Sequence, residues 1–160
     1  MDMLYYGPLL IILILISISD IKTMKIPDKY IIAGSFWAIL LNVLGRGIGI
    51  SKGLLGALIG GITIIIISYI SLLIFKKPGM GGGDVKLLAM AGLFIGWELA
   101  LLSLLLAIYI AGSISIILMV IGKIKRDDYI PFGPYIAIGI TLSVLIGRHI
   151  IEWYMYIFGS

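Results

Sequence analysis

The sequence predicts an all-α integral membrane protein, a single bundle of about six transmembrane helices. Three observations carry that prediction. Of the 160 residues, 61% are hydrophobic and only 12% are charged, about half the charged share of a soluble domain. The mean hydropathy is +1.20, and the apolar residues come in long runs instead of alternating with polar ones. Lys and Arg, finally, sit in short clusters between those runs. A hydrocarbon core of roughly 30 Å takes about 20 apolar helical residues per crossing. Backbone groups in lipid must be bonded internally, and runs without alternation exclude a β-barrel. Residues 1–160 therefore read as one membrane-embedded domain.

The elements follow in order. The first run is Met3 to Ser19. Asp2 stands where a signal peptide would carry basic residues, and no small-residue cleavage site follows, so this run is expected to be a retained helix. A polar stretch, Asp20 to Lys29, contains Pro27 and leads to the second run, Tyr30 to Leu44. Gly45 to Gly53 is a glycine-rich loop, and Leu54 to Phe75 is the third run. Lys76 to Asp84 holds Pro78 and a glycine cluster. The fourth run, Val85 to Trp97, is short, and the fifth is Leu99 to Gly122. The charged stretch Lys123 to Asp128 precedes the sixth run, Tyr129 to Gly147, which has Pro131 and Pro134 near its start. Trp153, Tyr154 and Tyr156 suit a membrane interface. Gly56 with Gly60, and Gly92 with Gly96, have the spacing of close helix packing.

Charge sets the expected orientation. The loops after the first, third and fifth helices, with their flanks, carry Lys22, Lys25, Lys29, Lys76, Lys77, Lys86, Lys123, Lys125 and Arg126, nine of the 12 basic residues. The other side has only Arg46, Lys52 and Arg148. The positive-inside rule puts the first set in the cytoplasm and both termini outside. If Val85 to Trp97 were re-entrant, the Lys123 to Arg126 cluster would move outside, against this bias. The net charge of +4 is thus explained by topology and implies no nucleic acid. With no cysteine and a single His149 beside Arg148, neither a disulfide nor a metal site is expected. No cofactor is implied.

Chemistry is sought among the eight acidic residues, because carboxylates beside membrane helices are rare and usually functional. Asp2, Glu98 and Glu152 fall at the outer boundary, and Asp127 and Asp128 lie in a charged loop, so all five read as solvated charge. Asp28 follows Pro27, where a helix N-cap and a functional role are equally open. Asp20 ends the first helix, and Asp84 opens the fourth directly after Gly81, Gly82 and Gly83. Singly they read as a boundary charge and an N-cap. Together they lie at one depth on one side, which favours a shared site. Two carboxylates in contact hold one proton between them. The ionised member can take a proton from water while the other donates to a carbonyl oxygen. Helix dipoles suggest Asp84 as the base and Asp20 as the proton holder. The glycines beside Asp84 would admit a substrate backbone and allow unusual dihedrals. A phosphate loop is excluded, since no strand precedes them.

These residues resemble a known family. Gly81-Gly82-Gly83-Asp84 fits the GxGD signature of membrane aspartyl peptidases. Met80 to Trp97 (MGGGDVKLLAMAGLFIGW), Asp20 to Asp28 (DIKTMKIPD) and Pro131 to Gly139 (PFGPYIAIG) are each similar to the type IV prepilin peptidases. The resemblance implies an endopeptidase of the cell membrane that removes the basic leader of type IV pilin-like or flagellin-like precursors at the cytoplasmic face. It implies Asp20 and Asp84 as the catalytic pair, with Gly81, Gly82 and Gly83 as the active-site loop. Support for the substrate site is expected from Asp28, Lys86, Pro131, Gly133 and Pro134. Asp28, Asp127 or Asp128 would attract a basic leader, whereas Lys86 and its neighbouring lysines also read as anchors to anionic lipid. Larger family members add a domain with paired Cys-x-x-C motifs and methylate the new N-terminus, which this chain, lacking cysteine, is not expected to do. Other readings of the same aspartates are a proton-coupled transport subunit and a catalytically silent assembly factor of a pilus or secretion machine.

Overall fold

A computed structural model describes residues 3–76, 79–125 and 128–158. Asp2, Lys77, Pro78, Arg126 and Asp127 lie outside the described residues. Within them the protein is all-helical, with five helices: α1 (Met3–Thr23), α2 (Asp28–Val43), α3 (Ile50–Phe75), α4 (Gly82–Val120) and α5 (Gly133–Phe158). Four of them, all but α2, are long and apolar enough to cross a membrane; α2 has 16 residues.

The expected fourth and fifth helices are joined in α4, which runs for 39 residues with no polar loop. A straight helix of that length would measure about 58 Å, nearly twice the roughly 30 Å hydrocarbon core. Gly96 resolves the conflict. Its backbone (φ 77, ψ 176) is one that only glycine adopts readily. A Cβ built on Gly60 of α3 would lie 3.2 Å from the Leu88 carbonyl oxygen and 3.6 Å from the Ala100 Cβ. Twelve residues of straight helix would hold those two groups about 18 Å apart. Both touch one glycine, so α4 folds back at Gly96 into two antiparallel segments. The short run Val85 to Trp97 is the first of them.

Close approach of α3 to this hairpin depends on glycine. A side chain on Gly56 would run into the backbone of Gly92 and Gly96, and one on Gly92 into that of Gly56. The packing expected from the small-xxx-small spacing is therefore present. α5 lies along the second segment of α4, with Gly139 against the Ser103 carbonyl and Gly147 against Leu99 and Leu102.

The fold-back leaves the Leu93 carbonyl at the end of a helical segment, in need of a donor. Asn42 Nδ2 donates to it at 2.9 Å and Tyr5 Oη at 3.3 Å. Tyr5 also lies 3.1 Å from Asn42 Oδ1, which accepts the Gly49 N–H at 3.2 Å. This buried polar knot ties α1, α2 and the α2–α3 loop to the turn of α4, and it marks one end of the bundle. The other end gathers the end of α1, the starts of α2, α4 and α5, and the loop before α5.

Candidate active site

Asp20 lies one turn inside the end of α1, and the Met24 N–H closes that turn onto the Asp20 carbonyl at 2.8 Å. Met24 takes a left-handed backbone (φ 53), which stops the helix and sends Lys25 and Ile26 back across the bundle end. Asp84 is the third residue of α4. Its Oδ2 accepts the Gly81 N–H at 2.9 Å, satisfying one of the donors that every helix start leaves free. Gly81 has no side chain to return the favour, so this is the carboxylate half of a capping box. Both aspartates are buried, Asp20 at 6% and Asp84 at 5% exposure. They line one cavity of about 320 Å³, which brings together residues far apart in the chain.

Asp20 is fixed from the opposite direction. Its Oδ2 accepts the N–H of Gly133, the first residue of α5, at 2.9 Å across 113 residues of sequence. Pro134, next in line, has no N–H to offer. The Phe132 carbonyl meanwhile accepts from Tyr135 and Ile136, closing the first turn of α5. A Cβ on Gly133 would lie 2.8 Å from Asp20 Oδ2, so glycine is required for this contact. Each carboxylate therefore receives one backbone N–H from a helix start. The expected division of roles loses its basis: Asp20 belongs to the end of α1, but its charge sits at the N-terminus of α5, and helix dipoles no longer distinguish the two.

The glycine loop serves close approach more than unusual backbone. Gly81 is extended (φ −81, ψ 160), and none of Gly81, Gly82 and Gly83 has positive φ. A Cβ on Gly83 would press on Ile26 at 3.1 Å, one on Gly81 would meet Asp84 Oδ2 at 3.5 Å, and one on Gly82 would meet nothing within 4 Å.

Asp28 does not cap α2. Pro27 holds the N-cap position without a side-chain bond, and Asp28 instead accepts from Lys86 Nζ at 2.7 Å. Both side chains are exposed, at 61% and 52%, so the pair contributes little stability. It stands at the rim of the cavity, where both residues contribute to the lining. Pro131 and Pro134 are absent from that lining, whereas Phe132 and Tyr129 belong to it. Gly133 acts through its bond to Asp20. Asp128 turns inward on its own loop, accepting the Lys125 N–H at 2.8 Å.

Tyr129 was not singled out by sequence; its only signal was its place two residues before Pro131. Tyr129 is 62% exposed; desolvation where it lines the cavity raises its phenol above the ordinary 10.0, and the charges of Asp84 and then Asp20 add to the rise. The described residues hold no cluster of His, Asp and Glu suited to a metal, and His149 is exposed on α5.

A buried carboxylate pair, held by backbone donors in an open cavity at the end of a helical bundle, is equipped to activate water. The description "Type IV leader peptidase family" matches residues 8–117. The chain belongs to the type IV leader peptidase family. The matched stretch contains Asp20, Asp28, Gly81 to Asp84 and Lys86, and stops short of the Pro131 to Pro134 segment. The chain is 31% identical over 144 residues to a prepilin leader peptidase/N-methyltransferase of Aeromonas hydrophila, covering 90% of this chain and 50% of that protein. Its identity to the protein of the same name in Pseudomonas putida is 30% over 152 residues, covering 95% and 53%. The Bacillus subtilis (strain 168) relative is 28% identical over 144 residues, covering 90% and 56%. The chain thus spans about half the length of the curated relatives it matches. No solved structure matches it.

Proposed function

We propose that this protein is a membrane aspartyl endopeptidase that removes the leader of type IV prepilin-like or preflagellin-like precursors. The observation that carries the reading is the meeting of Asp20 and Asp84 in one cavity, each with a backbone N–H on its Oδ2. Those bonds hold the two carboxylates from the starts of two different helices, α4 and α5, and leave their remaining lone pairs for a water in the cavity. One carboxylate, ionised, takes a proton from that water as its oxygen attacks the scissile carbonyl; the other donates a proton to the carbonyl oxygen. The carboxyl that took the proton from water then passes it to the leaving nitrogen, and collapse of the tetrahedral intermediate returns the hydroxyl proton to the other carboxylate and releases the leader with a new carboxyl end and the new N-terminal amine. Which aspartate begins ionised is a property of the pair. Cleavage should therefore be bell-shaped in pH.

We further propose that the chain crosses the cell membrane six times, with both termini outside and the aspartate end facing the cytoplasm. The nine-to-three distribution of Lys and Arg supports this orientation. The peptidase reaction alone is assigned to these 160 residues, which hold no cysteine. Transfer of a methyl group from S-adenosylmethionine by the purified protein would overturn that part.

Co-expression with a pilin-like precursor tests the whole reading. The wild-type chain should shorten the precursor at its leader. Asp20→Asn and Asp84→Asn should each abolish the shift while still inserting in the membrane. Normal processing by either variant would refute the pair, and would leave a transport or assembly role for these residues.

A further inference from the structure

An apolar groove runs between α3 and the start of α4, on the outer face of the bundle. Ile65, Tyr69 and Leu72 form one side of it, spaced so that they share one face of α3. They are 54%, 62% and 45% exposed, so no other element covers them. Val85 and Met80 form the opposite side, around a space of about 270 Å³. Gly81 and Gly82 also line it, and the same two glycines line the aspartate cavity. Ser68 Oγ donates to the Met80 carbonyl at 3.1 Å and pins this stretch against α3. The residues common to both spaces carry no side chain.

We infer that this groove seats an apolar helix of the substrate, and that the scissile segment crosses Gly81 and Gly82 to reach Asp84. The inference rests on the peptidase reading and adds the substrate's route to it. A groove with an apolar face in lipid has no hydrophobic drive to bind a helix; van der Waals packing against Ile65, Tyr69 and Leu72 supplies the contact. The face from Ile65 to Leu72 is about 10 Å long, enough for two turns of helix. The cavity beyond the glycines is polar by contrast, with Asp28 and Lys86 at its rim. A second apolar groove between α1 and α5, lined by Ile14, Ile18 and Ile138 among others, is larger at about 450 Å³. It shares no lining residue with the aspartate cavity.

The absence of cysteine makes the test direct. Single cysteines are placed at Tyr69 or Leu72, and in parallel at Ile14 or Ile138, in an Asp84→Asn background that leaves the substrate uncut. A pilin-like precursor carries one cysteine a turn or two into its apolar helix, and the pairs are oxidised in membranes. Disulfide-linked adducts are expected from Tyr69→Cys and Leu72→Cys and not from Ile14→Cys or Ile138→Cys. Adducts confined to the α1–α5 groove, or absent from both grooves, would overturn the inference. Processing by the cysteine-free parent tests the peptidase reading separately: a parent that cuts the precursor, with no α3 adduct, sinks the groove alone. As a second measurement, Leu72→Trp should raise KM for the full precursor by about tenfold. It should spare a short peptide that spans only the scissile segment. Equal losses on both substrates would count against the groove.

Discussion

Replacing Gly133 by alanine tests whether α5 positions the proposed catalytic pair. The added Cβ would lie 2.8 Å from Asp20 Oδ2, 3.2 Å from its Cγ and 3.3 Å from its Cβ. Ordinary van der Waals contact begins at 3.4 Å, so the carboxylate must retreat by about 0.6 Å. That retreat lengthens the 2.9 Å bond from the Gly133 N–H, a bond to a charged group worth about 1.5–3 kcal/mol. At 1.36 kcal/mol per tenfold in rate, losing its effect on positioning predicts a fall in kcat of about 10- to 100-fold. A displacement approaching 1 Å can cost about 100-fold by misorientation alone, which agrees. KM should change little, because Gly133 does not line the cavity. Alanine forms helix better than glycine, so weakened helix formation would not account for the loss. The assay is the initial rate of precursor processing in membrane vesicles, with protein level and thermal stability in detergent measured alongside. Gly112→Ala is the control, since a Cβ there meets nothing within 4 Å. A wild-type rate for Gly133→Ala, or the same loss in Gly112→Ala, would refute the reasoning.

Other expectations concern the rest of the frame. Asn42→Leu removes the donor to the Leu93 carbonyl and the acceptor for the Gly49 N–H; it should destabilise the fold by about 1–3 kcal/mol, read as a lower Tm in detergent. Gly96→Ala forces a side chain into φ 77 and should cost about 1–3 kcal/mol, with a matching drop in folded protein recovered from membranes. Lys86→Met should lower stability by less than about 1 kcal/mol, because its partner Asp28 is exposed; a large loss in denaturant melts would contradict that. For Tyr129 the sign follows from its raised phenol. Both states are protonated below the ordinary value of 10.0, so stability is unaffected there. It falls as pH rises past that value and through the folded one, where the unfolded chain has already ionised. Tyr129→Phe should flatten this alkaline loss in a Tm-against-pH series.

The helical class and most element positions were legible because lipid leaves the backbone so few choices. A long apolar run such as Leu54 to Phe75 has no alternative to a helix, and α3 covers it in full. The aspartates were legible because two carboxylates beside apolar runs stand out, and because Gly81 to Asp84 sits in a recognisable setting. The reversal at Gly96 was harder to read. One glycine between apolar residues looks like packing, and its positive φ is visible only in the folded hairpin, against both halves of which α3 packs. Asp28 illustrates local reasoning overridden by reach: a sequence position suited to capping was taken by Pro27, while Lys86 came across from another helix.

What the chain order alone determined is that this protein is a helical membrane bundle with Asp20 and Asp84 near the ends of apolar runs, since hydrophobicity and residue type are local properties. What only the tertiary structure decided is how those carboxylates are held. The Gly133 N–H that reaches Asp20 comes from 113 residues away, and no periodicity or spacing records a hydrogen bond between helices. The same bond replaces the end of α1 by the start of α5 as the dipole that Asp20 meets, so the electrostatics of the pair depend on packing that the order of residues does not display.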